Sequence, residues 1–160
     1  RDSVLAISGE LSRDAGAATA LEYGIDLDKP FSFRGKKLRS VYLPVARNNL
    51  VPEMELFDAA NPDLVTGVRN VTVVPTQSLY LINGEEWLHE AKRLAAASSK
   101  KSGEEVASLY ATILLRQPNQ AERGRAESFL YELGAGVSRE DALTHLAHIL
   151  LISNEFLFLD

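Results

Sequence analysis

Residues 102–114 read Ser102-Gly-Glu-Glu-Val-Ala-Ser-Leu-Tyr-Ala-Thr-Ile-Leu114. Val106, Leu109, Tyr110, Ile113 and Leu114 recur at three- and four-residue spacing, which places them along one face of a helix. Ser102 followed by Glu105 predicts a helix start, because the hydroxyl can accept an amide one turn ahead while the glutamate reaches back. The same signal recurs downstream. Asn119 with Glu122 precedes the stripe Ala126, Phe129, Leu130 and Leu133, and Ser138 with Asp141 precedes Ala142, Leu143, Leu146, Ile149 and Leu150. The last start is the weaker variant, since aspartate is one methylene shorter than glutamate. Gly134 and Gly136 are natural stops for the middle helix. Short connections between three such stripes predict antiparallel helices packed as a bundle.

Working upstream, Asn83-Gly-Glu-Glu86 repeats the start signal ahead of Trp87, Leu88, Ala91, Leu94 and Ala95, predicting a helix that runs to about Ser98. Another helix is expected to begin near Thr76. A short one is expected over residues 52–60, opened by Pro52 and closed by Asn61-Pro62. Val4, Ile7, Ser8 and Leu11 share a side at helical spacing near the start of the chain. Between these, Phe31-Ser-Phe33, the turn Arg34-Gly-Lys-Lys37 and the β-branched run from Leu38 to Val45 predict a short β-hairpin, ended near Leu43 by Pro44. Residues 71–74 are a candidate third strand. The expected fold is therefore mainly α: a C-terminal bundle of three to five helices after an irregular N-terminal half containing a short β-hairpin. We read residues 1–160 as a single domain, a fragment of a longer protein, with an irregular part at 1–37, a motif-bearing part at 38–83 and the helical bundle at 84–160.

The stretch Gly67-Val-Arg-Asn-Val-Thr-Val-Val-Pro-Thr-Gln-Ser-Leu-Tyr-Leu-Ile-Asn83 is apolar enough for burial, yet it is threaded with groups that need partners there. A buried neutral polar group left unpaired costs roughly 1–3 kcal/mol. Arg39, Ser40, Tyr42, Arg47, Asn48, Asn49, Arg69, Asn70, Thr76 and Gln77 together supply fork-like donors and amides. This inventory either ties loops to backbone carbonyls or recognises hydroxyls and carboxylates of a ligand, and the sequence leaves both readings open. In the first, Arg69, Asn70 and Gln77 reach residues 39–49 or the backbone beside them.

Four motifs in order carry a family resemblance: Arg39-Ser-Val-Tyr-Leu-Pro-Val-Ala-Arg-Asn-Asn-Leu50, Leu56-Phe-Asp-Ala-Ala-Asn-Pro62, the Gly67 to Asn83 stretch and Ser153-Asn-Glu-Phe-Leu-Phe-Leu-Asp160. The chain resembles the planctomycete C-terminal domain of unknown function found in large multidomain proteins that often carry a cytochrome-c-type domain. The resemblance is closest over residues 38–160 and looser over 1–12, and the Ala- and Gly-rich residues 13–23 depart from it. It implies an extracytoplasmic or periplasmic setting. It also implies partners among the other domains of the parent protein, a haem c domain included. Polysaccharide is the alternative partner, as a bound or processed substrate at the polar residues of 39–77.

Composition narrows the classes. With 160 residues and 46% hydrophobic content the chain can bury a core, and a net charge of −5 argues against a nucleic-acid binder. There is no cysteine, so disulfides, zinc–thiolate sites, iron–sulfur clusters and Cys-x-x-Cys-His haem attachment are excluded within this chain, and no cofactor is expected in it. No run approaches the roughly 18 apolar residues of a membrane span. Gly-x-Ser-x-Gly, glycine phosphate loops and His-Glu-x-x-His are missing, so no catalytic residue is assigned. His145 and His148 share a helix face, but no third ligand stands nearby in sequence and no metal site is assigned. Asp58, Asp63, Glu53 and Glu55 read as solvated acids. Arg34, Lys36, Lys37, Arg39 and Arg47 form the one basic island of an acidic chain. The reading favours a non-catalytic interaction or structural module.

Overall fold

The computed structural model describes residues 1–14, 26, 29, 32–45, 50–68 and 72–158. In chain order the helices are α1 (Asp2–Ile7), α2 (Pro52–Leu56), α3 (Pro75–Asn83), α4 (Glu85–Ser98), α5 (Glu105–Ile113), α6 (Gln120–Leu133), α7 (Arg139–Leu151) and α8 (Asn154–Leu157). Two compact units are formed, one of Arg1–Asp2 and Leu11–Tyr80, the other of Ser3–Glu10 and Leu81–Asp160.

In the second unit α7 packs against α4, α5, α6 and α8. Its burial follows from that central position: Ala142, Leu143, Thr144, Leu146, Ala147, Leu150 and Leu151 are all buried. Ala91 and Ala95 on α4, like Ala142 and Ala147 on α7, have no exposed surface. Small side chains at a helix contact allow the axes to approach closely, and these two helices pack against each other. Leu109, Leu143 and Leu151 are fully enclosed. Each such side chain contributes about 1.5–3 kcal/mol by leaving water. Thr144, though polar, is satisfied inside its own helix by donating to the Glu140 carbonyl at 2.9 Å.

The start signals are realised unevenly. Asn119 and Glu122 form the expected capping box, with the Glu122 amide donating to Asn119 Oδ1 at 2.9 Å and the Asn119 amide donating to Glu122 Oε2 at 2.8 Å. Ser138 caps α7 by accepting the Asp141 amide at 3.1 Å, while its hydroxyl donates to Asp141 Oδ2 at 2.6 Å. The short aspartate thus bonds the capping hydroxyl itself. Ser102 does not stand at the cap position of α5. Helix α5 begins from Glu104 and α4 from Gly84, neither with a side-chain cap. Gly103, with φ +82, turns the chain between Ser102 and the helix, so the serine falls two residues before the cap position at Glu104. The closing motif adds a short helix not anticipated from the sequence, α8, whose Ser153 hydroxyl accepts the Phe156 amide.

In the first unit Phe33, Leu43 and Val51 are buried together, with Leu38 and Met54 packed against them. The expected turn after Phe33 is present: the Lys36 amide donates to the Phe33 carbonyl at 3.0 Å, and Gly35 takes φ +70. The expected β-hairpin is not. Among the described residues there is no strand, and Leu38 makes only an isolated parallel bridge with Ser12. Residues Ser40–Tyr42 then coil into a 3-10 turn. The reason is a distant competitor: the Ser40 amide, which a hairpin ladder would need, donates instead to the Asp2 carboxylate at 3.0 Å. Residues 72–74 are not a strand, and Val71 lies outside the described residues.

Helix α2 stops at Leu56, short of the expected Ala60. Asp58 has φ 54, its amide donates to the Glu55 carbonyl at 3.1 Å, and the Ala59 amide donates to the Met54 carbonyl at 2.9 Å. Those two bonds are the paired closure that ends a helix with a left-handed residue.

Candidate functional site

Of the ten candidate residues, Arg39, Ser40, Tyr42, Thr76 and Gln77 belong to the first unit. Arg47, Asn48, Asn49, Arg69 and Asn70 lie outside the described residues. Of the others, Ser40 and Gln77 have their side chains bonded within the unit, whereas Arg39, Tyr42 and Thr76 are exposed.

Ser40 is held by the start of the chain. Its hydroxyl donates to Asp2 Oδ1 at 2.6 Å and accepts from Arg1 Nη1 at 3.2 Å. Arg1 also donates to the Leu38 carbonyl at 2.9 Å and to the Lys36 carbonyl, and its guanidinium lies 5.9 Å from the Phe33 ring centroid. One cation therefore fastens the backbone of residues 36–40 over the small apolar core. Partial burial pushes the Asp2 carboxyl up. The Ser40 bonds and the Arg1 charge outweigh it, leaving this group below the usual carboxylate range.

A second polar group joins two of the motif stretches. Gln77 Nε2 donates to the Leu56 carbonyl at 2.9 Å, and Gln77 Oε1 accepts the Val74 amide at 3.3 Å. Asp58 Oδ2 accepts both the amide and the hydroxyl of Thr72, each at 2.7 Å. Phe57 and Tyr80 meet edge to face, 5.9 Å between centroids. Gln77 therefore bridges to the 56–62 motif and not to residues 39–49 as expected. Asp58, read from sequence as a solvated acid, is instead a tie between chain segments.

Sequence reasoning missed a densely bonded group in the second unit. Arg116 gives Nε to Glu155 Oε1 at 2.6 Å, Nη2 to Glu155 Oε2 at 2.8 Å and to Glu122 Oε1 at 2.7 Å, and Nη1 to Glu122 Oε2 at 2.8 Å and to the Gln117 carbonyl at 3.1 Å. All five donors of the guanidinium are used. Its face lies 5.5 Å from the Tyr110 centroid. The Arg116 bonds and the Asn119 amide hold Glu122 down at about 2, Arg116 likewise lowers Glu155, and both carboxylates raise Arg116. The Asn119–Glu122 capping signal was the available clue to one carboxylate. Nothing local pairs Arg116 with a residue 39 positions on.

His148 Nε2 meets the Leu81 carbonyl at 2.9 Å. Because a carbonyl only accepts, this nitrogen carries the proton. His145 is exposed on the same helix.

With this geometry in hand, comparison with known families places the chain. The model of the PSD1 family, a protein of unknown function (DUF1553), matches residues 1–130, and the chain belongs to that family. The match crosses residues 13–23 and stops before the Ser153 motif, so it covers the N-terminal stretch more fully than the motifs alone imply. No curated protein and no solved structure matches the chain.

Proposed function

We propose that this DUF1553 chain acts by binding, as a non-catalytic module whose partner is another domain of its parent protein. The inferred setting is an extracytoplasmic multidomain protein with a cytochrome-c-type domain, and it is supported by the motif resemblance. The observation that carries the binding reading is a run of aliphatic side chains left in water. Leu64, Val65, Val68 and Val73 are 68, 106, 87 and 76% exposed. Single exposed aliphatics are ordinary, but four within ten residues form the kind of surface that a partner covers. A site for polysaccharide needs donors that converge without internal partners, and Ser40 and Gln77 have theirs within the unit.

The test is calorimetric titration of the full 160-residue chain with the remainder of the parent protein. Saturable binding with a negative heat-capacity change is expected, because apolar surface is buried. Changing Leu64, Val65 and Val68 together to Ser should weaken it by about tenfold or more, given roughly 1 kcal/mol or more for each buried aliphatic. A parallel screen offers polysaccharide and ester substrates. Turnover abolished by a single change at Arg39, Tyr42 or Thr76, with folding intact, would overturn the reading.

A further inference from the structure

A partner that covers Leu64, Val65 and Val68 also takes water from the backbone between them. Among the described residues, the main-chain N–H and C=O groups of Val65, Thr66, Gly67 and Val68 have no hydrogen-bond partner, and the segment lies in neither helix nor strand. Its start is fastened: the Leu64 amide donates to the Asn61 carbonyl at 3.2 Å, the Asp63 amide to Asn61 Oδ1 at 2.8 Å, and the Thr66 hydroxyl to the Leu64 carbonyl at 3.4 Å. Main-chain groups buried without a partner are costly, so whatever buries these side chains must also supply donors and acceptors at main-chain spacing. Leu64-Val-Thr-Gly-Val68 is rich in β-branched residues, which fit a pleated strand and are poor helix formers. Gly67 is not left-handed, and a Cβ added there meets nothing within 4 Å, so no conformation special to glycine interrupts the segment.

We infer, on the basis of the binding reading above, that residues 64–68 pair as a strand with the exposed edge of a sheet in the partner domain. Such an edge carries a row of unpaired N–H and C=O groups, the complement of those left open here. In the paired strand Leu64, Thr66 and Val68 fall on one face of the sheet, and Val65 and Gly67 on the other. Leu64 and Val68 then cover apolar side chains of the neighbouring strand. No residue from 64 to 68 is charged, which matches an edge whose facing side chains are uncharged as well. A helix formed on binding would satisfy the backbone internally, but Val65, Thr66, Gly67 and Val68 all have low helix propensity. Pairing with the same segment of a second copy would leave an isolated two-stranded ribbon, which is marginal in water, whereas the strands of a sheet are already held in place.

The experiment titrates the full 160-residue chain with the remainder of the parent protein and follows amide hydrogen exchange by NMR, residue by residue. Successive N–H groups of a strand point to opposite edges. On saturation every second amide of residues 64–68 should therefore exchange at least about tenfold more slowly, while those between change little. Val65→Pro and Thr66→Pro each remove one of two neighbouring donors, and only one of the two should weaken binding by about tenfold or more. Gly67→Thr should bind about threefold more tightly than Gly67→Ala, following strand preference; a helix formed on binding reverses that order and overturns the inference. Thermal melts of all four variants should match that of the unsubstituted chain, because residues 65–67 are exposed. Equal weakening by both proline variants, or binding with no slowed amide, overturns the inference and leaves the binding reading in place. A concentration-dependent dimer of the chain alone, seen in sedimentation and lost in one proline variant, assigns the segment to a second copy and overturns it too. If the unsubstituted chain does not bind at all, the binding reading itself fails, and this inference with it.

Discussion

Asp58 accepts two hydrogen bonds from one residue, the amide and the hydroxyl of Thr72, both to Oδ2 at 2.7 Å. It does so from a left-handed backbone conformation, φ 54, at the position after a helix where glycine is the usual occupant. An L-residue there costs about 1–2 kcal/mol relative to the right-handed region. Hydrogen bonds to a charged group return roughly 1.5–3 kcal/mol in favourable cases, so the strained aspartate is retained because it reaches Thr72. It thereby ties the end of α2 to the segment that leads into α3.

Replacing Asp58 separates these two terms. Asp58→Ala loses the carboxylate and keeps the backbone strain, and should destabilise by about 2 kcal/mol. Asp58→Gly loses the carboxylate but relieves the strain, so it should cost less, by up to about 1 kcal/mol. Asp58→Asn keeps an acceptor and a tolerance for positive φ, and should cost least of the three. Urea denaturation of the variants gives the order directly. Equal losses for Ala and Gly would show that strain plays no part.

Much of the bundle could be read from the sequence because its signals are local. Asn119 and Glu122 lie three apart and fix a helix start wherever the rest of the chain goes. The stripes of α5 and α7 mark buried faces because periodicity and burial have one cause, packing against a neighbour. Ile149, in the predicted stripe, is nevertheless 48% exposed. The hairpin failed where a local signal met a distant competitor: β-branched residues and a turn pointed to a strand, but Asp2, 38 residues away, captured the Ser40 amide. Arg116 with Glu155 was unreadable for the same reason. A bidentate pair leaves no periodic trace, and arginine beside a turn is ordinary surface composition. Asp58 is intermediate. Its Phe-Asp-Ala setting gives no glycine to announce the left-handed turn, so only the backbone reveals it.

Leu115 provides a clean comparison with Asp58. It also has positive φ, 56, just after the end of α5, and its side chain is 84% exposed. No carboxylate tie offsets the strain there. Leu115→Gly should therefore stabilise the chain by about 0.5–1 kcal/mol, after the flexibility that glycine adds to the unfolded state is subtracted. Thermal unfolding of the variant checks this, and a lowered midpoint would mean that the leucine makes contacts which outweigh its backbone cost.

At the centre of the second unit, Leu143 has no exposed surface on a helix that touches four others. Truncation to Ala leaves a cavity that neighbours on several sides cannot all move to fill. A loss of about 2–5 kcal/mol is expected, towards the upper end because of this enclosure. The exposed Ile149 on the same helix is the control: Ile149→Ala should change stability by within about 0.5 kcal/mol. Measuring both by denaturant unfolding tests whether α7 is the central helix.

The Arg116 group sets a pH dependence whose sign can be worked out. Glu122 titrates at about 2 in the folded chain against an ordinary 4.5, and Glu155 is lowered as well. As pH falls, protons bind these carboxylates in the unfolded chain first, so stability falls with them. The Glu122 contribution is complete above the unfolded value near 4.5 and is lost as pH drops through about 2, and the lowered Glu155 acts in the same direction. Arg116→Gln removes the principal cause of both shifts while leaving the Asn119 amide on Glu122, so part of the Glu122 depression should remain and that of Glu155 should go. Unfolding in urea at several pH values should then give a shallower rise of stability with pH over that interval in the variant. High salt should flatten the parent curve towards the variant, since these side chains face water and their charges are screened. If the parent and variant curves run parallel down to the lowest pH, the Arg116 bonds do not persist in solution and α8 is not fastened through Glu155.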